Sequence, residues 1–392
     1  MDVVILSEFC EDFSSTDNDR FFYLAKQISR TDSVEIITSS FRHTTKSQRR
    51  QPADTWPFTI TFIEEPGYAK NVSIKRVFSH RVWGKNVVRY LKSRKKPDVV
   101  YCAIPSLSGP NMVARYCQKN GIRFVIDVQD LWPEAFQMVL NIPVLSNIIF
   151  APLTLLANGI YKRADAICAV SDTYCKRALR VNKKCSDATP VFLGTELSTF
   201  DAHAKANPVA NKPEGELWLG YCGTLGTSYD LHVVFEALQL LGEKNLRFIV
   251  MGDGPLMERF RTEASDLNVS FTGRMPYEKM CGMLAECDIV VNPIVGKSVA
   301  TIINKHADYA ASGKPVLNTQ SDKEYCQLVE EYQMGLNCNN GDAEDLSQKL
   351  KALVHDEGLR YRMGKNARKC AEEKFDRATT YSLLEDEILR EV

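Results

Sequence analysis

The sequence predicts an α/β protein with two doubly wound domains, each built on a mostly parallel sheet with helices on both faces. Length is the first observation, because 392 residues exceed what one hydrophobic core usually supports. The second is that short apolar runs alternate with helical patterns in both halves of the chain, as in parallel sheets. With 44% hydrophobic and 25% charged residues, the composition is that of an ordinary soluble globular protein.

The first domain is predicted from six apolar runs that are typical of strands. Helical patterns separate them, for example at 108–119 and 171–180. The runs are VVILS, VEIITS, FTITFI, DVVYCA, RFVIDV and AICAVS.

The second domain repeats this pattern, with a helix between its first two strands. Leu231, Val234, Phe235, Leu238 and Leu241 share one helical face there. The predicted strands of this domain are LWLGYCG, RFIVMGDG, VSFTGR, DIVVNPI and PVLNT.

A linker is predicted at 201–215, where Pro, Asn, Gly and charged residues occur without an apolar period. The predicted domains are therefore 1–200 and 216–375. Segment 376–392 has a helical pattern and is predicted to return toward the first domain. Two such domains would face each other across a cleft, with the carboxyl ends of both sheets as the ligand-binding edges.

The cysteines and the first residues bear on the compartment. The twelve cysteines are scattered without a CxxC pair, which favours buried reduced thiols over a disulfide framework or a zinc site. The opening MDVVILSEFCEDF has no basic leader and predicts a first strand. We therefore expect a cytoplasmic protein.

The segment TIINKHADYAASGKPVL, residues 301–317, places Lys305 and Asp308 three positions apart on a predicted helix. One interpretation is a surface ion pair without consequence. The other is a binding site, because the predicted strand ends of this domain carry glycine or small residues at strand-to-helix turns. Gly223 and Gly226 in YCGTLG would let backbone amides approach a ligand.

Longer motifs extend this pattern across most of the chain. In the second half they are YCGTLGTSYDLHVVFEAL, VMGDGPLMERF, FTGRMPYEKMCGMLAECDIVVNPI, NKHADYAASGKPVL and MGLNCNNGDAEDLSQKLKALVHD; in the first half they are DVQDLWPEAF and YKRADAICAVSDTYCKRAL. Together they resemble the retaining glycosyltransferases of family four, which have the GT-B fold, and in particular the branch that builds bacterial surface polysaccharides such as O-antigen and capsule.

The resemblance implies a donor site in the second half. Asp308 takes the position of the family acid that holds the ribose, whereas Ala300 stands where a second acid meets the donor sugar. Lys305, with Lys297 as a second candidate, would hold the diphosphate and stabilise its charge as it leaves. The predicted donor-binding residues are Gly223, Thr224, Gly226, Gly252, Arg274, Thr301, Ile302, Ile303 and Asp308, with the amides of 301–303 expected to open a helix.

In the first half, DVQDLWPEAF closes a strand with Asp127, Asp130 and Glu134 near one another. Asp130 would orient a donor hydroxyl or the acceptor, and Glu134 would receive the acceptor proton as a general base. A capping role for Asp130 at the following helix is compatible with this. Asn18 and Arg20, after the first strand, are weaker candidates for an acceptor phosphate site.

Charge and hydropathy point to a membrane-bound acceptor. Residues 1–200 hold 27 Lys+Arg and 19 Asp+Glu, a net +8, so 22 against 30, or −8, remain for 201–392. Ten of the basic residues lie between Lys70 and Lys96 without one acid, while 135–161 contains no charged residue. Two prolines argue against a spanning helix, and a buried helical hairpin or an apolar face on an anionic bilayer remain open.

The sequence thus predicts a retaining glycosyltransferase that moves a sugar from a UDP- or GDP-linked donor to a polyprenyl-diphosphate-linked saccharide or an oligosaccharide. Neither a cofactor nor a metal is expected, because no paired-aspartate motif occurs. A sugar-nucleotide epimerase of the same architecture and an inactive nucleotide-sugar-binding homologue are the alternatives. Nucleic acid is disfavoured as a partner, because no recognised binding module occurs.

Overall fold

The computed structural model describes residues 1–10, 13, 19–50, 56–104, 106–134, 143–209, 212–296 and 301–390, with the backbone alone for 143–148. The chain divides into two compact units. The first consists of Met1–Phe192 together with Tyr381–Val392, and the second is Leu193–Thr380. Each unit carries its own parallel sheet, so the predicted α/β class with two doubly wound domains is confirmed.

The unit boundary differs from the predicted linker. It falls between Phe192 and Leu193, and a helix at Leu197–Ala206 already belongs to the second unit. The segment predicted as linker, 201–215, therefore begins inside a helix. Its single buried face is short, with Leu197 and Phe200, and this weak pattern did not reveal the helix.

The sheet of the first unit has seven parallel strands in the order β5-β2-β1-β6-β7-β8-β9, with β3 and β4 as a small antiparallel pair apart from it. Its inner strands β2, β1, β6, β7 and β8 are buried on both faces, which explains their continuous apolar runs. The strands are β1 Asp2–Leu6, β2 Ser33–Ser39, β3 Phe41–Arg42, β4 Ser47–Gln48, β5 Thr59–Ile63, β6 Val99–Ile104, β7 Arg123–Val128, β8 Ala166–Ala169 and β9 Thr189–Pro190.

Within the described residues of this unit, five helices alternate with the strands along the chain. A C-terminal helix at Ser382–Leu389 packs on the same unit, near β6, β8 and β9. The five helices are α1 Arg20–Ile28, α2 Ile74–Ser93, α3 Ser108–Asn120, α4 Pro143–Tyr161 and α5 Asp172–Leu179.

The sheet of the second unit has six parallel strands in the order β12-β11-β10-β13-β14-β15. The chain runs outward from β10 to β12, returns beside β10 as β13, and continues to the other edge. A crevice therefore opens at the carboxyl ends of β10 and β13, where ligands bind in sheets of this topology. The strands are β10 Leu217–Cys222, β11 Leu246–Met251, β12 Val269–Gly273, β13 Ile289–Asn292, β14 Val316–Asn318 and β15 Gly335–Asn337.

One helix of the second unit, α7 at Leu231–Leu241, carries the predicted apolar face and buries Leu231, Val234 and Phe235. The chain then ends this unit with a π-helical turn at Ala371–Phe375 and a short helix at Arg377–Thr380. The helices before them are α6 Leu197–Ala206, α7 Leu231–Leu241, α8 Met257–Glu263, α9 Tyr277–Glu286, α10 Asn304–Ala311, α11 Lys323–Tyr332, α12 Ala343–His355 and α13 Glu357–Cys370.

The apolar segment at 135–161 is described from residue 143 onward, as α4. This helix contains Pro152, buries Ala157, Ile160 and Tyr161, and exposes Leu155. In the part of the chain that the structure describes, no helix has both the length and the apolar character needed to cross a membrane.

Candidate functional site

The loops after β10 and β11 lie against each other at the carboxyl edge of the second sheet. The amide of Gly223 donates to the carbonyl of Met251 over 2.9 Å. A Cβ on Gly252 would lie 1.8 Å from the carbonyl oxygen of Gly223, so only glycine fits there. Both glycines have positive φ, 145° at Gly223 and 157° at Gly252. The sequence prediction placed both residues at a binding edge, and the structure brings them together.

Lys305 lies next to this glycine contact. Its side chain comes from the first turn of α10 and is 7% exposed. The ammonium nitrogen Nζ lies 4.2 Å from the ring centre of Tyr221 and 3.8 Å from that of Tyr229. A Cβ on Gly223 would come within 2.9 Å of the same nitrogen. The lysine therefore ends at the crevice between β10 and β13, between two aromatic rings and a glycine backbone.

Among the described residues, the ammonium of Lys305 has no hydrogen-bond partner. Burial lowers the pKa of its amine to about 7, and the nearby Cys222 thiol opposes this shift. Cation–π attraction to two rings compensates part of the lost hydration, yet it leaves three N–H donors unused. A buried cation in this state is suited to an anionic ligand that enters the crevice.

Asp308 faces a different set of groups although it lies one turn away on α10. Its Oδ1 accepts a hydrogen bond of 2.8 Å from the Tyr277 hydroxyl, which also pairs with the Thr195 hydroxyl at 2.8 Å. Burial raises the pKa of Asp308 to about 6, while Tyr277, Arg377 and Thr195 act in the opposite direction. Lys305 and Asp308 thus have separate environments and do not form the ion pair that their spacing allows.

Helix α10 begins later than the sequence suggested. Its N-cap is Ile303, whose amide donates to Nδ1 of His306 at 3.3 Å. The amides of Thr301 and Ile302 therefore precede the helix and do not open it. Thr301 and Ile302 are both buried, and the Thr301 hydroxyl has no hydrogen-bond partner. The residues most directly at the helix start are Asn304 and Lys305.

An asparagine ladder supports this segment from the sheet side. Asn292, Asn318 and Asn337 close three adjacent strands and lie in register. The amide of Asn292 donates to Asn318 and that of Asn318 donates to Asn337, each at 2.9 Å. Gln320 links the ladder to the site, because it accepts from Asn292 at 3.1 Å and donates to the Thr301 carbonyl at 2.7 Å.

The remaining predicted donor residues lie on the same sheet edge but make fewer contacts. Thr224 is exposed, and its carbonyl accepts from the Tyr221 hydroxyl at 2.9 Å. Gly226 has room for a side chain, since a Cβ there would lie 3.7 Å from its nearest neighbour. Arg274 follows β12 and is exposed. Sterics therefore require glycine at 252, whereas position 226 carries no such requirement.

The predicted acids of the first unit each interact with a side chain of the same unit. Asp127 is fully buried and forms a bidentate pair with Arg20, with distances of 2.9 and 3.1 Å. Arg20 is therefore not placed to bind an acceptor phosphate, contrary to its suggested role. Glu134 is paired through Oε1 with Nε of Arg177, and within the described part of the chain its Oε2 has no hydrogen-bond partner.

Asp130 lies at the carboxyl end of β7. Its Oδ2 accepts from the indole N–H of Trp132 at 3.0 Å, and burial raises the pKa of its carboxyl group. Trp132 and Pro133 form a turn and Glu134 is the first helical residue, so Asp130 is not at the N-cap position that the sequence suggested. Asn18, Lys297 and Ala300 lie outside the described part of the chain.

Sequence reasoning missed the groups that surround Lys305. Tyr221 lies within a strand and Tyr229 follows a loop, so both matched the pattern of ordinary core residues. Tyr277 was likewise read only as part of a motif. The asparagine ladder had a detectable signal, because Asn292, Asn318 and Asn337 each end a short apolar run.

The second unit matches a known family. Residues 216–356, which are 141 of the 392 residues, match the family described as Glycosyl transferases group 1. This region of the second unit is therefore similar to the group 1 glycosyltransferases, which supports the predicted resemblance at this level.

Two named proteins are similar to this chain in sequence. Sulfoquinovosyl transferase SQD2 of Arabidopsis thaliana is 28% identical over 172 residues, which cover 43% of this chain and 32% of SQD2. Probable glycosyltransferase WbjE of Pseudomonas aeruginosa is 23% identical over 243 residues, 59% of this chain and 60% of WbjE. The matched regions thus span about one third and three fifths of the lengths of these relatives.

Solved structures share the fold along the whole chain. HepE of Anabaena, in complex with UDP and glucose, gives a TM-score of 0.71 at 13% identity and covers 100% of both chains. WaaG, a glycosyltransferase involved in lipopolysaccharide biosynthesis, gives a TM-score of 0.69 at 16% identity over 99% of this chain and 100% of its own. The two Rossmann-like units are therefore those of the GT-B fold.

The buried amine of Lys305 predicts a pH effect on stability that Lys305→Met removes. Its pKa is near 7 in the folded, ligand-free protein, against about 10.4 in an unfolded chain. Between these values the unfolded chain binds more protons, so the free energy of unfolding gains a contribution that increases with pH. Urea unfolding at about pH 7 and about pH 9 should give a larger increase for the native protein than for Lys305→Met.

Lys323→Met provides the matched control, because Lys323 is an exposed lysine at the first position of the neighbouring helix α11. It should retain the pH dependence of the native protein. Equal pH dependence in the native protein and Lys305→Met would show that the amine of Lys305 is hydrated in the folded state.

Proposed function

We propose that this protein is a retaining glycosyltransferase that transfers a sugar from a nucleoside diphosphate sugar to a lipid-linked or oligosaccharide acceptor. The observation that carries the proposal is the unpartnered ammonium of Lys305 at the crevice between β10 and β13. Its position in the region similar to group 1 glycosyltransferases supports a nucleotide-sugar ligand. The UDP in the HepE complex supports the same ligand class.

In the proposed donor complex, Lys305 turns its three N–H groups from the tyrosine rings to the diphosphate. The glycine backbone at Gly223 and Gly252 leaves space for the phosphates to approach, and Arg274 supplies a further cation from the adjacent strand end. Asp308 accepts from the ribose hydroxyls, with Tyr277 holding its other face. The loop from Thr301 to Ile303 and the loop residues Thr224 and Gly226 contribute backbone contacts.

The transfer step breaks the bond between the anomeric carbon and the diphosphate oxygen, and the diphosphate leaves with the electron pair. Lys305 stabilises the negative charge that develops there. The acceptor oxygen forms the new bond on the same face of the sugar, so configuration is retained. Its proton goes to a carboxylate, for which Glu134 Oε2 is our candidate, while Asp130 orients the acceptor.

We propose that this step needs no cofactor and no metal, because lysine and backbone amides supply the positive charge. Within the described residues, no group of three or more His, Cys, Asp or Glu side chains is arranged to hold a metal ion. Transfer assays with and without a chelator test this point, and loss of activity with the chelator would contradict it.

A role in surface polysaccharide synthesis, such as O-antigen, capsule or lipopolysaccharide, is the biological part of the proposal. The similarity to WbjE and the shared fold with WaaG support it. The alternatives are a sugar-nucleotide epimerase and a nucleotide-sugar-binding protein without activity. A nucleotide-sugar-binding protein without activity is favoured by one observation: the carboxylate of Asp308 already has an internal hydrogen-bond partner in Tyr277.

The donor site predicts that Lys305→Ala lowers kcat by about 10²- to 10³-fold, the usual effect of removing a group that stabilises transition-state charge. Asp308→Asn should weaken donor binding by about tenfold, because it removes a charged acceptor for the ribose. The measurement uses a panel of labelled UDP- and GDP-sugars with a polyprenyl-diphosphate acceptor. Lys323→Ala should behave like the native protein.

The same panel separates the alternatives. Product formation that requires acceptor supports transfer, conversion of donor without acceptor indicates an epimerase, and donor binding without turnover indicates an inactive homologue. Unchanged donor affinity and kcat in both Lys305→Ala and Asp308→Asn would refute the proposed site.

We further propose that the protein attaches peripherally to the inner face of the cytoplasmic membrane through the basic residues of 70–96. Most of these side chains are exposed along α2, except that Arg94 pairs with Asp2 and Glu35. Exposed apolar residues accompany them, including Ile74 at 89% and Val72 at 84% exposure. Basic side chains with apolar neighbours favour an anionic bilayer surface.

Flotation with anionic vesicles tests this attachment. Neutralising Lys75, Lys85 and Lys92 together should weaken binding by about a hundredfold, because each contributes roughly 1 kcal/mol near an anionic surface. Lys365→Ala, an exposed lysine of the second unit, serves as the control and should have little effect. Native protein that remains in the unbound fraction would contradict the proposal.

A further inference from the structure

The first unit contains a cavity of about 380 Å³, and all of its lining residues belong to that unit. Its volume is within the range of small-molecule pockets. Apolar side chains form most of its wall, and three elements contribute them: the start of α2, the start of α3 and the middle of α4. The apolar lining residues are Val72, Ile74, Val77, Leu107, Phe150 and Leu153.

The polar part of this cavity favours an anion. The Arg76 guanidinium is in its wall and lies 4.7 Å from the ring centre of Trp132, another lining residue. Two helices also begin at the wall, α2 with its N-cap Ser73 and α3 with Ser108. Helix amino termini carry partial positive charge, so an arginine and two helix dipoles act in the same direction.

The acids close to the cavity do not cancel this positive character. Burial raises the pKa of Glu8 well above its usual value, and burial also raises the pKa of Glu65 and of Asp130. These carboxyl groups therefore tend toward the neutral form. His80 lines the cavity, and burial with the nearby Arg76 lowers its pKa to about 3, so its imidazole is neutral near pH 7. The guanidinium of Arg76 is the cationic group in the wall, and it decides the sign.

The lining residue His80 carries a polar atom without a hydrogen-bond partner among the described residues. Behind it lies Glu8, which is 4% exposed and whose carboxyl group interacts with the Ser106 hydroxyl. The Oε1 atom of Glu8 lies 3.7 Å from Nε2 of His80. Buried polar atoms without partners are costly unless a ligand completes their hydrogen bonds.

The mouth of the cavity is flanked by exposed apolar residues. Val77 on α2 is 51% exposed, and Ile149 and Leu155 on α4 are 52% and 72% exposed. Such a concentration of apolar side chains marks a binding surface. It extends the apolar wall outward from a positively charged interior.

We infer that this cavity binds a phosphorylated amphiphile with a single hydrocarbon chain, and that this molecule is the acceptor of the proposed transfer. The inference rests on the proposed function for the role of the ligand as acceptor. The hydrocarbon chain lies against Val77, Phe150 and Leu153, and the phosphate faces Arg76 and the starts of α2 and α3. The imidazole of His80 meets a polar atom of the ligand next to the phosphate.

Binding of geranyl phosphate by the full chain, in solution without vesicles, tests this inference. Geranyl phosphate should bind about tenfold or more tightly than either inorganic phosphate or geraniol, since it satisfies both parts of the cavity. Arg76→Gln should reduce geranyl phosphate binding about tenfold, toward that of geraniol. Val77→Asp should also reduce it, because it places a charge in the apolar wall.

Two neighbouring residues provide matched controls. Lys75 and Phe78 are exposed and lie outside the cavity lining, so Lys75→Gln and Phe78→Asp should bind geranyl phosphate like the native protein. Equal losses in the controls and the cavity variants would indicate a general surface effect and overturn the inference. So would native protein that binds geranyl phosphate no better than inorganic phosphate.

UDP binding, measured on the same samples, separates this inference from the proposed function. Retained UDP binding shows that a variant is folded and that its donor site is intact. Normal UDP binding without geranyl phosphate binding would refute the cavity alone. Geranyl phosphate binding with no UDP or GDP binding would leave the cavity in place and contradict the donor site.

Discussion

The central constraint in this structure is a cation buried without a hydrogen-bonding partner. Lys305 lies in the first turn of α10, and its ammonium is enclosed by Tyr221, Tyr229 and the backbone at Gly223. Burying the ammonium of Lys305 without a counter-ion costs free energy, and this cost lowers the pKa of its amine. The surrounding residues can be understood as the groups that fix this lysine where an anionic ligand would relieve the cost.

Several parts of the second unit serve this arrangement. The close contact between Gly223 and Gly252 holds two strand ends together beside Lys305. The asparagine ladder and Gln320 hold the segment before α10 against the sheet. Asp308, turned toward Tyr277, keeps its negative charge away from Lys305. Burial lowers the pKa of Lys305 to about 7 and raises that of Asp308 to about 6, and perturbed pKa values of this kind are common at functional sites.

The sequence allowed the sheets to be predicted because parallel strands are buried on both faces and give continuous apolar runs. It also placed Lys305, Asp308 and the glycine turns on one edge, since strand ends and helix spacing follow from local pattern. The partners of these residues could not be predicted in the same way. Tyr221 and Tyr229 meet Lys305 through the packing of a helix on a sheet, and a tyrosine at either position has the pattern of a core residue.

Other differences have equally physical reasons. Arg20 follows a loop and looked available for a ligand, but a carboxylate 107 positions away, Asp127, pairs with it in the core. The helix at Leu197–Ala206 has too short an apolar face to be recognised from the sequence, so the predicted linker at 201–215 overlaps its second half. Local sequence pattern therefore fails in two cases. It does not show which residues pair when they are far apart in the chain, and it does not reveal a helix whose apolar face is short.

Proton uptake on UDP binding is the most direct test of the claim that Lys305 meets the diphosphate. At about pH 8, roughly one unit above the pKa of the free amine, the lysine is mostly neutral, and a bound diphosphate should charge it. Calorimetric titration with UDP in two buffers of different ionisation enthalpy should show uptake approaching one proton in the native protein and none in Lys305→Met. UDP binding without proton uptake, or with equal uptake in both proteins, would contradict the account.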